Sequence, residues 1–202
     1  MNYFKAVRIL TWGSIVVLSG FLLVSAGVPG LLLNSKPTAE TRPIGRSWAL
    51  TTQHGEPVSD VTLAGKPYLA FFGFTNCPDI CPTTLFELTD LMRELGTDAD
   101  AFNVVFITVD PDRDTPELLV EYMTSFDSRI IAARGDRQQT DNVVKAFAAY
   151  AKRVPTEGGG YTMDHTAGVY LFKTDGSLKS MLDMHEPRDT RLLKLRHLAV
   201  SA

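Results

Sequence analysis

Cysteine is nearly absent from this chain of 202 residues, which has only Cys77 and Cys81. Two thiols alone cannot complete a structural zinc site, which usually takes four protein ligands. Histidine is scarce too, with His54, His165, His185 and His197 as the full set. There is no basic stripe: Lys and Arg are scattered and the formal net charge is −3, which speaks against nucleic acid as a partner. Internal repeats and low-complexity tracts are also missing. A disordered chain is excluded, because 45% of the residues are hydrophobic and can fill a sizeable core.

One absence is local. From Ile9 to Leu33 no residue is charged. A membrane-spanning helix needs about 20 mainly apolar residues, and this run is long enough. Lys5 and Arg8 precede it and by the positive-inside rule keep the N-terminus in the cytoplasm. A cleaved signal peptide competes, with Val24-Ser25-Ala26 as an acceptable cleavage site. The apolar stretch resumes through Leu31-Leu32-Leu33, which favours an uncleaved anchor over residues 1–33. Either way the domain lies outside the cytoplasm, where a disulfide can persist. Residues 34–46 are polar with two prolines and read as a linker. The domain is expected over residues 47–202.

Within it, Trp48–Thr52 suggests a short strand, followed by a turn at Gly55-Glu56-Pro57. Pro67–Thr75 and Asn103–Val109 are near-continuous apolar runs, the pattern of strands buried on both faces. Leu85, Leu88, Leu91, Met92 and Leu95 fall at helical spacing after Pro82, and Gly96 is a stop. Thr115-Pro116 reads as N-cap and first residue of another helix. Arg129–Ala133 suggests a third strand and Gln138–Lys152 a helix. Val154–Tyr161 is expected as a loop holding Gly158-Gly159-Gly160. Ala167–Phe172 and Leu178–Leu182 form a hairpin pattern around Asp175-Gly176, and Arg188–Leu198 a closing helix. This order describes an α/β domain with a mixed sheet flanked by helices, the thioredoxin-like plan.

Cys77 and Cys81 lie where a buried strand gives way to a helix, a place where α/β folds put reactive groups. On a helical turn, residues i and i+4 share a face with Cβ atoms about 5–6 Å apart. A small approach permits a disulfide, and the same separation lets two thiolates grip one soft metal ion. Pro78 and Pro82 restrict the backbone around them, and a helix N-terminus stabilises thiolate. Soft sulfur suits Cu(I) and zinc, and a set of two thiolates and one imidazole fits copper better than zinc. His165, in Tyr161-Thr-Met-Asp-His-Thr-Ala167, is the histidine best placed, with Asp164 as a group that could orient its ring. The glycines before it give the segment freedom to approach. The plain alternatives are a structural disulfide and a hydrogen-bonded loop histidine. His54 and His185 sit in polar surroundings, His197 falls on the last helix, and Met163 reads as a packed methionine. Asp110, Asp112 and Asp114 read as a turn with a helix cap that also shapes a partner-facing surface, since no glycine and distal glutamate complete a calcium loop.

Four stretches carry a resemblance: GKPYLAFFGFTNCPDICPTTL, ITVDPDRDTPELLVEYMTSF, YTMDHTAGVYLF, and the N-terminal apolar run with its short linker. Together they resemble the Sco/SenC family, proteins for the synthesis of cytochrome c oxidase. The resemblance implies a thioredoxin-like fold held on the outer face of a membrane, most simply in a bacterial periplasm. It implies copper held by Cys77, Cys81 and His165. It also implies a copper-receiving partner, the binuclear copper site of oxidase subunit II, with a copper donor upstream. The same dithiol can instead reduce the partner's cysteines, as a thiol–disulfide oxidoreductase. Asn76 departs from the histidine or aromatic residue that relatives often carry there, beside a ligand but removing none. A third reading is a peroxiredoxin-like peroxidase, kept open by Thr75 and Thr83, in which His165 has no role.

Overall fold

A computed structural model describes residues 43–200 of the chain. The anchor or signal peptide expected over residues 1–33, and the linker as far as residue 42, lie outside the described residues. Among the described residues, no helix is long and apolar enough to cross a membrane.

The elements run β1 (Ala49–Thr52), β2 (Pro57–Ser59), β3 (Tyr68–Gly73), α1 (Ile80–Leu95), a 3-10 segment (Gly96–Ala101), β4 (Asn103–Thr108), α2 (Pro116–Met123), β5 (Ile130–Arg134), α3 (Arg137–Ala146), β6 (Ala151–Pro155), β7 (Tyr161–His165), β8 (Val169–Phe172), β9 (Leu178–Leu182) and α4 (Arg188–Ala199). Seven strands make one sheet in the order β2-β1-β5-β4-β3-β8-β9. The central β3, β4 and β5 are parallel, and β8 and β1 join them antiparallel from either side. Strand β3 is buried at every position. A strand buried on both faces cannot alternate apolar and polar residues, which is why Tyr68–Gly73 and its neighbour β4 are continuous apolar runs.

The helices follow from local chemistry. Helix α1 buries Leu85, Leu88, Leu91, Met92 and Leu95, one apolar stripe at helical spacing. Thr115 caps α2 by accepting from the Leu118 amide at 3.2 Å, with Pro116 in the first turn. Asp136 and Gln139 close a reciprocal capping box on α3.

Three expectations need correction. The helix expected over Gln138–Lys152 stops at Ala146. Phe147 drops into the core, fully buried, and Ala148 takes φ +49°, in the left-handed region where a helix cannot continue. Residues 151 and 152, expected as its last turn, instead begin β6. The loop expected over Val154–Tyr161 shrinks to residues 156–160, because both flanks pair as the hairpin β6–β7. Gly158 and Gly159 sit there at φ +93° and +87°, so glycine is required to turn the chain. The third correction is β2, which the turn signal at Gly55-Glu56-Pro57 concealed; Leu50 and Val58 pair directly across it.

The end of the expected linker lies against the domain. Gly45 is buried and donates to the Ala146 carbonyl at 2.8 Å. A Cβ there would meet the Phe172 ring at 2.5 Å, so only glycine fits. The core below is aromatic. Phe147 meets Trp48, Phe72, Tyr170 and Phe172 with ring centroids 5.2–5.7 Å apart. Phe147→Ala is expected to cost about 3–5 kcal/mol, the range for emptying a buried phenylalanine site, read as a lower urea midpoint at unchanged slope.

Candidate metal centre

Strand β3 ends at Gly73 and the chain turns through Phe74, Thr75 and Asn76 into α1. The Cys77 amide donates to the Phe74 carbonyl at 3.2 Å, which tightens that turn. Cys77 is half-buried before the helix, and Cys81 is fully buried in its first turn. Both sulfurs lie near the helix N-terminus, where free amides favour negative charge. His165 closes β7 on a separate hairpin. The two sulfurs and an imidazole nitrogen all lie within 4.8 Å of one another. Both cysteines are unbridged thiols.

The imidazole has a defined orientation. His165 Nδ1 lies 3.0 Å from the Thr166 carbonyl, so Nδ1 carries the proton and donates it there. Nε2 is left with its lone pair 3.4 Å from the Cys81 sulfur. Desolvation lowers the His165 pKa, opposed by the Thr166 bond and the charge of Asp164. Neutral imidazole, the metal-binding form, is therefore favoured. The oriented bond comes from Thr166, while Asp164 is exposed and acts only through its charge. The rings of Phe74 and Phe71 meet the imidazole edge-on, at 5.8 and 6.3 Å between centroids.

Burial pushes the Cys81 thiol far up, outweighing a backbone hydrogen bond from Phe74 that pulls it down. A thiolate here is costly without a cation beside it. A soft cation between two sulfurs and Nε2 would remove that cost. Among the described residues no further histidine, cysteine or carboxylate joins the three. The set therefore falls short of closed tetrahedral zinc and fits a soft ion of low coordination number. His54, His185 and His197 are exposed and lie outside this group. Met163 is buried in the core packing.

The loop Asp110–Thr115 does more than cap a helix. Asp114 is fully buried and its carboxylate accepts from the Thr75 hydroxyl at 2.6 Å, the Thr75 amide at 3.1 Å and the Thr108 hydroxyl. It thereby fixes the residue two places before Cys77. Desolvation nonetheless raises its pKa, these bonds opposing. Arg134 holds the loop from beneath, donating to the carbonyls of Asp114 at 2.8 Å and Pro111 at 3.0 Å. This support escapes a reading for ligands. The acidic cluster after β4 was its only sequence signal, and of its three aspartates Asp110 and Asp114 are buried and hydrogen-bonded while Asp112 is exposed.

A mixed sheet with a Cys-Cys-His cluster at the end of a central parallel strand defines a thioredoxin-like domain with a candidate metal centre. The SCO1/SenC family model matches residues 36–200, and the chain belongs to that family. It is 36% identical over 175 residues to a SCO2-like protein of Rickettsia felis, covering 80% of this chain and 84% of that protein. Among solved structures it is similar to copper-bound ScoI of Bradyrhizobium japonicum, with 44% identity, a TM-score of 0.72, and 77% of this chain and 99% of that one covered. Copper-bound yeast Sco1 also gives a TM-score of 0.72, at 29% identity, covering 79% and 90%.

Gly73 makes room for the site. A Cβ there would lie 2.6 Å from the Phe106 ring and 3.0 Å from the Cys81 sulfur, and both neighbours are buried. Gly73→Ala is expected to destabilise the metal-free protein by about 1–3 kcal/mol through overpacking, measured by urea unfolding.

Proposed function

We propose that this protein carries copper for the assembly of cytochrome c oxidase, holding one ion between Cys77, Cys81 and His165. The copper is cargo, and the receiving protein is the binuclear copper site of oxidase subunit II. The observation that carries the reading is the convergence of the three ligand atoms within 4.8 Å. Copper-bound relatives of the same fold support it. The apolar run from Ile9 to Leu33 supports a membrane anchor with the domain outside the cytoplasm.

Transfer follows from the asymmetry of the ligands. Cys81 is enclosed and His165 is oriented, while Cys77 is the more exposed sulfur. A thiolate or imidazole of the receiver enters beside Cys77, and the ion moves by stepwise ligand exchange. Three ligands leave an open side for that exchange.

A second reading rests on the free, adjacent thiols. The Cys77 thiolate attacks a partner disulfide and forms a mixed disulfide. Cys81 then displaces it, leaving Cys77–Cys81 oxidised and the partner reduced by two electrons and two protons. A peroxidase would need a thiolate held low, and burial pushes Cys81 the opposite way.

Anaerobic Cu(I) titration of the reduced protein tests the first reading. One ion per chain is expected, and His165→Ala is expected to weaken binding by at least about 100-fold, the upper end of what losing a mere supporting group costs. No copper bound by the wild type would sink it. Accumulation of a mixed disulfide with a partner in Cys81→Ser, together with no copper bound by the wild type, would favour the second.

Proton competition gives an independent check. The raised Cys81 thiol stays protonated through neutral pH, so its proton must leave when copper binds. Apparent affinity should therefore rise with pH, by about tenfold per unit between about pH 6 and 8 for this thiol alone. Competition with a chelator of known pH behaviour measures it, and a flat profile contradicts it.

A further inference from the structure

The third ligand sits on an element the main sheet does not hold. Strands β6 and β7 form a two-stranded sheet of their own, unpaired with the seven-stranded one. Each strand has five residues. A hairpin of that size is marginal by itself in water, so contacts beyond its own ladder must help keep His165 over the cysteines.

Those side chains converge on one residue. The Tyr161 hydroxyl, at the far end of β7 from His165, donates to the buried Asp110 carboxylate at 2.9 Å. Its ring lies between two guanidinium groups, Arg113 at 3.8 Å and Arg153 at 4.0 Å from the ring centroid. Arg113 donates to the Tyr161 carbonyl at 2.9 Å and pairs with Asp110. It also reaches over the ring of Phe74 in the cysteine turn, at 5.7 Å. Arg153, across the hairpin on β6, pairs with Asp112. Both strands are thus tied to the loop whose Asp114 fixes Thr75 and, through it, the cysteine turn.

We propose that Tyr161 is a positioning residue for copper, a latch that docks the β6–β7 hairpin on the Asp110–Arg113 loop and so keeps His165 within reach of Cys77 and Cys81. The proposal rests on the copper-carrier reading for its function. With the latch closed, the imidazole is presented before the ion arrives and its ordering cost is already met. With it open, the hairpin keeps its own pairing, the burial of Met163 and the short link to β8, but His165 loses the tie that fixes it over the two sulfurs. Hydrogen bonding to a charged partner and the stack of two cations on one ring are the separable parts of the latch. Tyr161→Phe removes only the first, and Tyr161→Ala removes both.

A double-mutant cycle on Cu(I) affinity tests this, with wild type, Tyr161→Phe, Tyr161→Ala, His165→Ala and the combination Tyr161→Ala with His165→Ala. Tyr161→Ala is expected to weaken binding by about tenfold or more and Tyr161→Phe by less, the scale of losing a charge-assisted bond. In the His165→Ala background, Tyr161→Ala should change affinity by less than about twofold, because Tyr161 acts only through the imidazole. An equal loss in both backgrounds, or wild-type affinity in Tyr161→Ala, overturns the latch. Amide hydrogen exchange of the metal-free proteins reads the latch without copper. Exchange over residues 151–165 should quicken in Tyr161→Phe while the seven-stranded sheet keeps its protection; unchanged exchange there overturns the latch. A wild type that binds no copper fails the carrier reading alone, since the exchange result still decides whether Tyr161 holds the hairpin. If Tyr161→Ala does not fold, Tyr161→Phe supplies both measurements.

Discussion

The candidate site depends on the burial of two carboxylates in one short loop. Asp110 and Asp114 are both inaccessible to water, and each is fully engaged with a different ligand-bearing element. Asp114 grips the turn before the cysteines through Thr75. Asp110 grips the histidine hairpin through Tyr161 and Arg113. A buried carboxylate cannot be left unsatisfied without a cost of several kcal/mol, so these partners are strongly specified. The cysteines sit in the turn and first helical turn after β3, while His165 comes from a hairpin 84 residues beyond Cys81, and this loop is the common support.

The chemistry of the site follows from the same economy of solvent. Enclosing Cys81 and flanking His165 with phenylalanine rings takes water away from both ligands. Burial raises the thiol and lowers the imidazole, so both neutral forms are favoured in the metal-free protein. A thiolate formed here would need a cation beside it. A soft metal ion would supply that, and oxidation to a disulfide would remove the need for charge altogether. The proposed copper carriage and the proposed thiol exchange are therefore two outlets of one constraint.

Much of this was legible in the residues. The apolar runs at β3 and β4 fitted strands buried on both faces, and the spacing from Leu85 to Leu95 fitted a helix. Cys77 and Cys81 were legible as a pair from their place between those elements, and His165 from its context. The end of α3 was not legible: Phe147 and Ala148 look helical, and only the demands of the aromatic core pull Phe147 inward and break the helix. Strands β6 and β7 were hidden for a related reason. Their residues are mostly half-buried or exposed and alternate poorly, so pairing across the hairpin more than burial makes them strands. The Asp110–Asp114 support was visible as an acidic cluster, but its partners Thr75 and Tyr161 lie 39 and 51 residues away from it. Such long-range satisfaction of a buried charge cannot be read from local pattern.

X-ray absorption at the copper edge of the loaded, monodisperse protein is the most direct test of the three-ligand account. Two sulfur neighbours and one nitrogen neighbour per copper are predicted, with the nitrogen signal lost in His165→Ala. A shell of nitrogen and oxygen alone, or of sulfur alone in the wild type, would contradict it.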